Sequence, residues 1–154
     1  MIAQLAAGLA AGVGLSLITG IKPVVGNHGL MFVKSVGNGG YMTVAAADAF
    51  KEMVDAAAQD GVTLMAGSAF RSPLEQAVLY AEYVARGFSY PTVAKPGISN
   101  HGNGSAIDIA VAQGVSVHYG SQAYNWLMAN AGSFGFSWTE GRAVDEPWHW
   151  VYVG

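Results

Sequence analysis

The chain has 154 residues, the size of one domain, and at that length folding buries roughly 70% of the surface exposed by the unfolded chain, so no disulfide or metal is needed merely to fold. Hydrophobic residues make up 52% and charged residues 11%, against about 25% charged in ordinary soluble domains, so the chain must bury much of itself or rest against something apolar. A net charge of −3 with seven scattered Lys and Arg excludes a nucleic-acid footprint, and the absence of cysteine excludes thiolate metal sites, a Cys nucleophile and a disulfide framework.

Residues 2–21, IAQLAAGLAAGVGLSLITGI, are nearly uncharged and about long enough to cross a bilayer as a helix. Three readings stay open for residues 1–21. A secretory signal normally carries cations ahead of its apolar run, whereas the first cation here is Lys22. A membrane-spanning or membrane-resting anchor would suit the Gly8 and Gly12 GxxxG spacing. The third reading is a small-residue helix packed on its own domain, on a neighbouring subunit or within a virion. Residues 22–40 are glycine-rich and read as a linker carrying one strand or hairpin arm, with the globular domain over 41–154.

Thr43 is the expected N-cap of a helix over 44–59, with Phe50, Met53, Val54 and Ala57 on one face and Asp60-Gly61 ending it. GVTLMAGSAF (61–70) reads as a buried strand, and Ser72-Pro73 opens a second helix closed by Gly87. After a Pro- and Gly-rich loop over 90–104, AIDIAVA reads as a core strand, SQAYNWLMANAG as a third helix and EPWHWVYVG as a terminal aromatic strand. That order is too short in strands for a doubly wound sheet and predicts a compact α+β domain with a small antiparallel sheet and flanking helices.

The chain holds four histidines. His28 and His118 lie in loop text without an acidic partner at ligand spacing and read as structural or exposed. His101 sits in the glycine-rich loop SNHGNGS that leads into the strand bearing Asp108, and His149 follows Glu146 by three positions. Strand alternation puts Ala106, Asp108 and Ala110 on one face and Ile107, Ile109 and Val111 on the other. Asp108 taken alone fits a hydrogen-bonded structural aspartate as well as a ligand. A catalytic zinc, however, needs three protein ligands and an open position for water, and it needs a carboxylate outside the ligand set to move protons. His101, Asp108 and His149 supply the ligand types, and Glu146 is the nearest free acid.

The block Ser99-x-His101-x-x-Gly104-x-Ala106-x-Asp108, followed by Glu146-Pro147-Trp148-His149-Trp150, resembles the paired signature of VanY-like D-alanyl-D-alanine carboxypeptidases. That group of zinc peptidases includes phage endolysins that cut the L-alanyl-D-glutamate bond, and it shares a wider fold with the Hedgehog signalling domain. GSAFRSPLEQ, residues 67–76, is similar to the group's upstream element carrying an arginine and, more variably, a glutamine. The resemblance covers roughly residues 41–154 and implies zinc on His101, Asp108 and His149, with Glu146 as general base and acid. It further implies that Arg71 polarises the scissile carbonyl or holds a substrate carboxylate, as a guanidinium suits, and that Ser99 and Gln76 make substrate contacts. Trp148 and Trp150 read as packing for the strand of His149, and Asp145 as a solvated loop acid.

The expected function is thus hydrolysis of peptide bonds in peptidoglycan stem peptides, as a D,D-carboxypeptidase or an L-alanyl-D-glutamate endopeptidase. The chain would act outside the cytoplasmic membrane, in the periplasm, in the cell envelope or with a phage, with residues 2–21 available for attachment. The alternative is a module that keeps fold and metal without turnover, inside a membrane or virion assembly.

Overall fold

Residues 20–154 are described by a computed structural model, and its first strands lie where the sequence pointed to a linker. Strands β1 (Ile21–Gly26) and β2 (Gly29–Gly37) form an antiparallel hairpin with Gly26 opposite Gly29, and β2 pairs in turn with β3 (Gly40–Thr43). Residues 22–40 thus hold a full hairpin and the start of a third strand, more strand than the single strand or hairpin arm expected there. The glycines that suggested a linker sit at the strand ends, where Gly29 at φ 104° and Gly39 at φ 74° turn the chain back. Val33 and Met42 are buried, while Val25, Leu30 and Phe32 stay exposed. The expectation for residues 1–21 falls almost wholly on residues 1–19, outside the described residues. Among the described residues no helix is long and apolar enough to cross a membrane.

Helix α1 (Val44–Gln59) has the predicted bounds, although Thr43 makes no side-chain capping bond. Its inner face carries Ala46, Ala47, Phe50, Met53 and Ala57, with Phe50 and Met53 filling the core between the alanines. β4 (Met65–Ser68) is shorter than the buried run that predicted it. α2 (Pro73–Ala85) opens with a capping box in which Ser72 and Glu75 satisfy each other's backbone, as the Ser-Pro start foretold. After the long loop come β5 (Ala106–Ala112), the short β6 (Val115–Ser116) and α3 (Gln122–Asn130), which runs into a 3₁₀ turn, Ala131–Phe134. β7 (Phe136–Ser137), α4 (Thr139–Ala143) and β8 (His149–Tyr152) complete the chain.

The larger sheet is antiparallel with order β4-β5-β8-β7, and β6 pairs on the end of β5. Its bulky face, with Ile107, Ile109, Phe136 and Trp150, packs on α1 to form the core. Its other face carries Asp108 and His149, which are direct cross-strand partners. The α+β expectation is met, with a second sheet of three strands beside the predicted one.

Phe50 is 2% exposed and meets Phe136 edge to face at 6.2 Å between ring centroids. Phe50→Ala is expected to cost about 3–5 kcal/mol, as truncation of a buried phenylalanine does, read as a lower urea midpoint at unchanged slope.

Candidate active site

Pairing of β5 with β8 puts Asp108 opposite His149, so both side chains rise from one face of the sheet, and His149 Nδ1 lies 3.0 Å from Asp108 Oδ1. His101 reaches the same point from the loop before β5. That loop is wound tightly: the Asn100 carbonyl accepts from the backbone N–H of Ser105 and Ala106, the His101 carbonyl accepts from Gly104 N–H, and Ser99 Oγ accepts from His101 N–H. Gly104 turns the chain at φ 69°, and a Cβ there would press on Met31 and Thr43. His101 Nε2 ends 3.4 Å from Asp108 Oδ1.

His101 Nδ1 lies 2.7 Å from the carbonyl of Ala69, an acceptor only, which fixes the proton on Nδ1 and leaves the Nε2 lone pair facing Asp108. At the other histidine, His149 Nε2 lies 2.8 Å from Glu140 Oε2, so Nδ1 is the nitrogen turned toward Asp108. Ligand atoms of His101, Asp108 and His149 all fall within 4.8 Å of one another. Zinc bonds of about 2.0–2.1 Å in a tetrahedron place neighbouring ligand atoms about 3.3 Å apart. The 3.4 and 3.0 Å separations fit that spacing, and two imidazoles with one carboxylate fit zinc's ligand preference.

Charge is arranged around this cluster in opposite senses. Burial works to raise the Asp108 carboxyl, but His101 and His149 outweigh it and hold the group well below the ordinary carboxylate range. Burial works to lower His149, but its bonds to Asp108 and Glu140 push it up to about 9. Arg71 Nη2 lies 3.8 Å from Asp108 Oδ2, the oxygen turned away from the histidines. Burial lowers the Arg71 pKa, and Asp108, Glu146 and Glu75 act against that shift.

Glu146 and Glu140 line one small cleft with Arg71, Gln76, Ser99 and the two histidines. Glu146 is 8% exposed, and burial, reinforced by Asp108, pushes it up to about 7. Glu140 is displaced the other way: its hydrogen bond from His149 lowers it, against partial burial, with help from Asn100. The two carboxylates are thus pushed apart, Glu146 toward neutrality and Glu140 toward its ionised form.

The remaining predicted residues also converge. Gln76 is the one fully buried residue of α2, whose other residues are partly or wholly exposed. Its Nε2 donates to the Ala94 carbonyl while Oε1 is buried with no partner. Ser99 is buried with its hydroxyl bracketing the His101 loop. A larger groove of about 350 Å³ runs from Asp108 and Trp148 along β4 and β5, floored by small residues such as Gly67 and Ala110. Trp150 is buried and donates to the Pro147 carbonyl, as packing predicts. Trp148 is half-buried and borders that groove. Asp145 accepts from the Tyr119 hydroxyl at 2.6 Å and its carbonyl accepts from Tyr90.

Sequence reasoning missed Glu140 and the Ala69 carbonyl. A backbone acceptor has no sequence signal. Glu140 stands in a five-residue helix within a stretch whose charge pattern is undistinguished.

The chain can be compared with known proteins on this geometry. The family model described as VanY, D-alanyl-D-alanine carboxypeptidase, matches residues 39–154. A D-alanyl-D-alanine carboxypeptidase of Enterococcus faecalis is 33% identical over 141 residues, covering 79% of this chain and 52% of its own, so the chain spans about half the length of this curated relative. Among solved structures, a glutamate-to-alanine mutant of the vancomycin-resistance D,D-pentapeptidase VanY, in complex with Zn(II), superposes at TM-score 0.63 with 30% identity, covering 80% of this chain and 79% of that one. The LD-carboxypeptidase LdcB, described for its peptidoglycan recognition, superposes at TM-score 0.63 with 33% identity over 74% of this chain and 60% of its own. Motif, fold and family match agree over residues 39–154, and the chain belongs to the VanY family of D-alanyl-D-alanine carboxypeptidases.

Proposed function

We propose that the protein is a zinc-dependent carboxypeptidase that removes the C-terminal D-alanine from peptidoglycan stem peptides. The observation that carries the reading is the His101–Asp108–His149 cluster, whose two histidines line one small cleft with Glu146, itself pushed up to about 7. Family membership and the relatives' printed activities support the substrate class. The endolysin reading finds no support among the relatives named above, so release of a terminal residue is favoured over an internal cut.

Zinc held by His101 Nε2, Asp108 and His149 Nδ1 would supply a Lewis acid that lowers the pKa of water toward neutrality. Glu146 takes a proton from the attacking water and delivers it to the leaving amine, as a base poised near the working pH does best. Arg71 offers its guanidinium to the terminal carboxylate or the scissile carbonyl. Gln76 Oε1, an acceptor without a partner, and Ser99 Oγ are placed to bind substrate donors in the small cleft, while the larger groove has room for the rest of the stem. Peptidoglycan lies outside the cytoplasmic membrane, so the protein acts there, and the apolar segment over residues 2–21 would hold it to the envelope.

Incubation of the zinc-loaded protein with a stem pentapeptide is expected to release free D-alanine, with a chelator abolishing release and zinc restoring it. A protein with stoichiometric zinc that leaves the peptide whole contradicts the reading, and favours the non-catalytic module. Zinc affinity itself should depend on pH. Ligation requires His149 Nδ1 without a proton, and His149 is pushed up to about 9, so protons compete with the metal throughout the neutral range. Affinity is expected to rise about tenfold per unit between roughly pH 6 and 8, measured by competition with a chromophoric chelator. A flat profile would remove His149 from the ligand set.

A further inference from the structure

Glu140 does more than line the cleft. Its Oε2 accepts from His149 Nε2 at 2.8 Å and from Asn100 Nδ2 at 3.0 Å. Asn100 Oδ1 accepts from Asn103 Nδ2 at 3.0 Å, and Asn103 Oδ1 accepts from Asn27 Nδ2 at 2.9 Å. Asn27 starts the chain as a donor, and Asn103 and Asn100 each receive a bond on the oxygen and pass one on from the nitrogen, all running in one direction and ending on the carboxylate. Chains of this kind polarise each bond in the same sense.

Asn27 is the tip of the β1–β2 hairpin, which lies outside the stretch matched by the family model. It is docked on the ligand loop by more than the amide chain. Asn27 N–H donates to the Gly102 carbonyl at 3.0 Å, and Asn27 Nδ2 also donates to the Ser99 carbonyl at 2.7 Å. A Cβ on Gly102 would collide with the Asn27 side-chain oxygen, so the loop approaches the hairpin as closely as glycine permits. The loop on both sides of His101, at Ser99 and at Gly102, is therefore bonded to one hairpin residue.

We propose that Glu140 is a positioning residue that turns His149 Nδ1 toward the metal, and that the Asn100–Asn103–Asn27 chain holds Glu140 in place from the tip of the N-terminal hairpin. The inference rests on the zinc reading above and names how this chain holds that site. A histidine ligand whose far nitrogen meets a carboxylate has its ring orientation and tautomer fixed and its basicity raised, and loss of such a partner costs about 10–100-fold in metal affinity. Asp145, the acid beside Glu146, does not serve here, since its carboxylate is taken up by Tyr119.

The test is zinc competition titration on the full chain with Glu140→Ala, Glu140→Gln and Asn27→Ala, together with nitrogen-15 NMR of the histidine rings in the zinc-loaded forms. Glu140→Ala is expected to lower zinc affinity about 10–100-fold. Glu140→Gln, whose amide oxygen still accepts from Nε2–H, should recover most of the loss. Asn27→Ala should weaken binding in the same direction by a smaller factor. The spectra should show His149 protonated at Nε2 and metal-bound at Nδ1, with that Nε2 proton protected from exchange in wild type and Glu140→Gln and unprotected in Glu140→Ala. Wild type that binds zinc while Glu140→Ala binds it equally well overturns the inference and leaves the functional reading standing. Glutamine no better than alanine overturns the positioning role, and an unchanged Asn27→Ala removes the hairpin from it. Wild type that binds no zinc overturns both.

Discussion

Glu146→Gln is expected to lower kcat by about 10²–10⁴-fold, the range supplied by a positioned acid–base group, while zinc content and fold stay as in wild type. Glutamine keeps the size of the side chain, so the cleft retains its shape and only proton transfer is lost. The wild-type pH profile carries the same information. Burial and the nearby Asp108 charge push Glu146 up to about 7, and a base must be ionised to act, so kcat/KM should fall as the pH drops below that value. A bound dication favours the carboxylate and moves the acidic limb lower, which makes about 7 its upper bound. The limb should be absent from whatever activity Glu146→Gln retains. A variant that turns over at the wild-type rate removes Glu146 from the mechanism and leaves the metal cluster without a proton carrier.

His101→Ala is expected to abolish activity and to weaken zinc binding by more than the roughly 10–100-fold that follows loss of a ligand's hydrogen-bond partner. His101 is 3% exposed, and its Nδ1 is engaged by the Ala69 carbonyl, so the ring has one nitrogen to offer and that nitrogen faces Asp108. Asp108→Asn is the matching change in charge at constant shape. Asp108 Oδ1 meets both histidines and Oδ2 faces Arg71, so the amide leaves three groups without their anion. Its zinc affinity should fall as well, by equilibrium dialysis and metal analysis. If either variant held zinc as wild type does, the cluster would be a structural hydrogen-bond network, the reading that Asp108 alone never excluded.

The site was more legible in the sequence than the fold around it. His101, Asp108, Glu146 and His149 lie in two short blocks whose spacing depends on local structure: a tight loop entering a strand, and a turn entering the strand beside it. Alternation along AIDIAVA correctly put Asp108 opposite the bulky core face, because a strand's period of two leaves no other arrangement. The α1 bounds were equally clear, since a Thr before the apolar period and an Asp-Gly after it mark a helix at both ends. What stayed hidden depends on long-range pairing. The strands within residues 22–40 carry four glycines that suggested a linker, and only the pairing of β1 with β2 and of β2 with β3 shows them to mark strand ends. Glu140 was unreadable for a similar reason, because the five-residue α4 and the turn after it bring it to His149 by a path that no periodicity announces. Asn27, Asn100 and Asn103 gave no signal at all, as single polar residues in glycine-rich text ordinarily do.

Release of a terminal residue from a peptidoglycan stem is the activity proposed for this cleft. Mass spectrometry of a synthetic stem pentapeptide ending in D-alanyl-D-alanine, incubated with zinc-loaded protein and with Glu146→Gln in parallel, tests it most directly. The expected result is conversion to the tetrapeptide with free D-alanine, by wild type alone. Cleavage at an internal bond of the stem, or an intact pentapeptide in the presence of bound zinc, would contradict it.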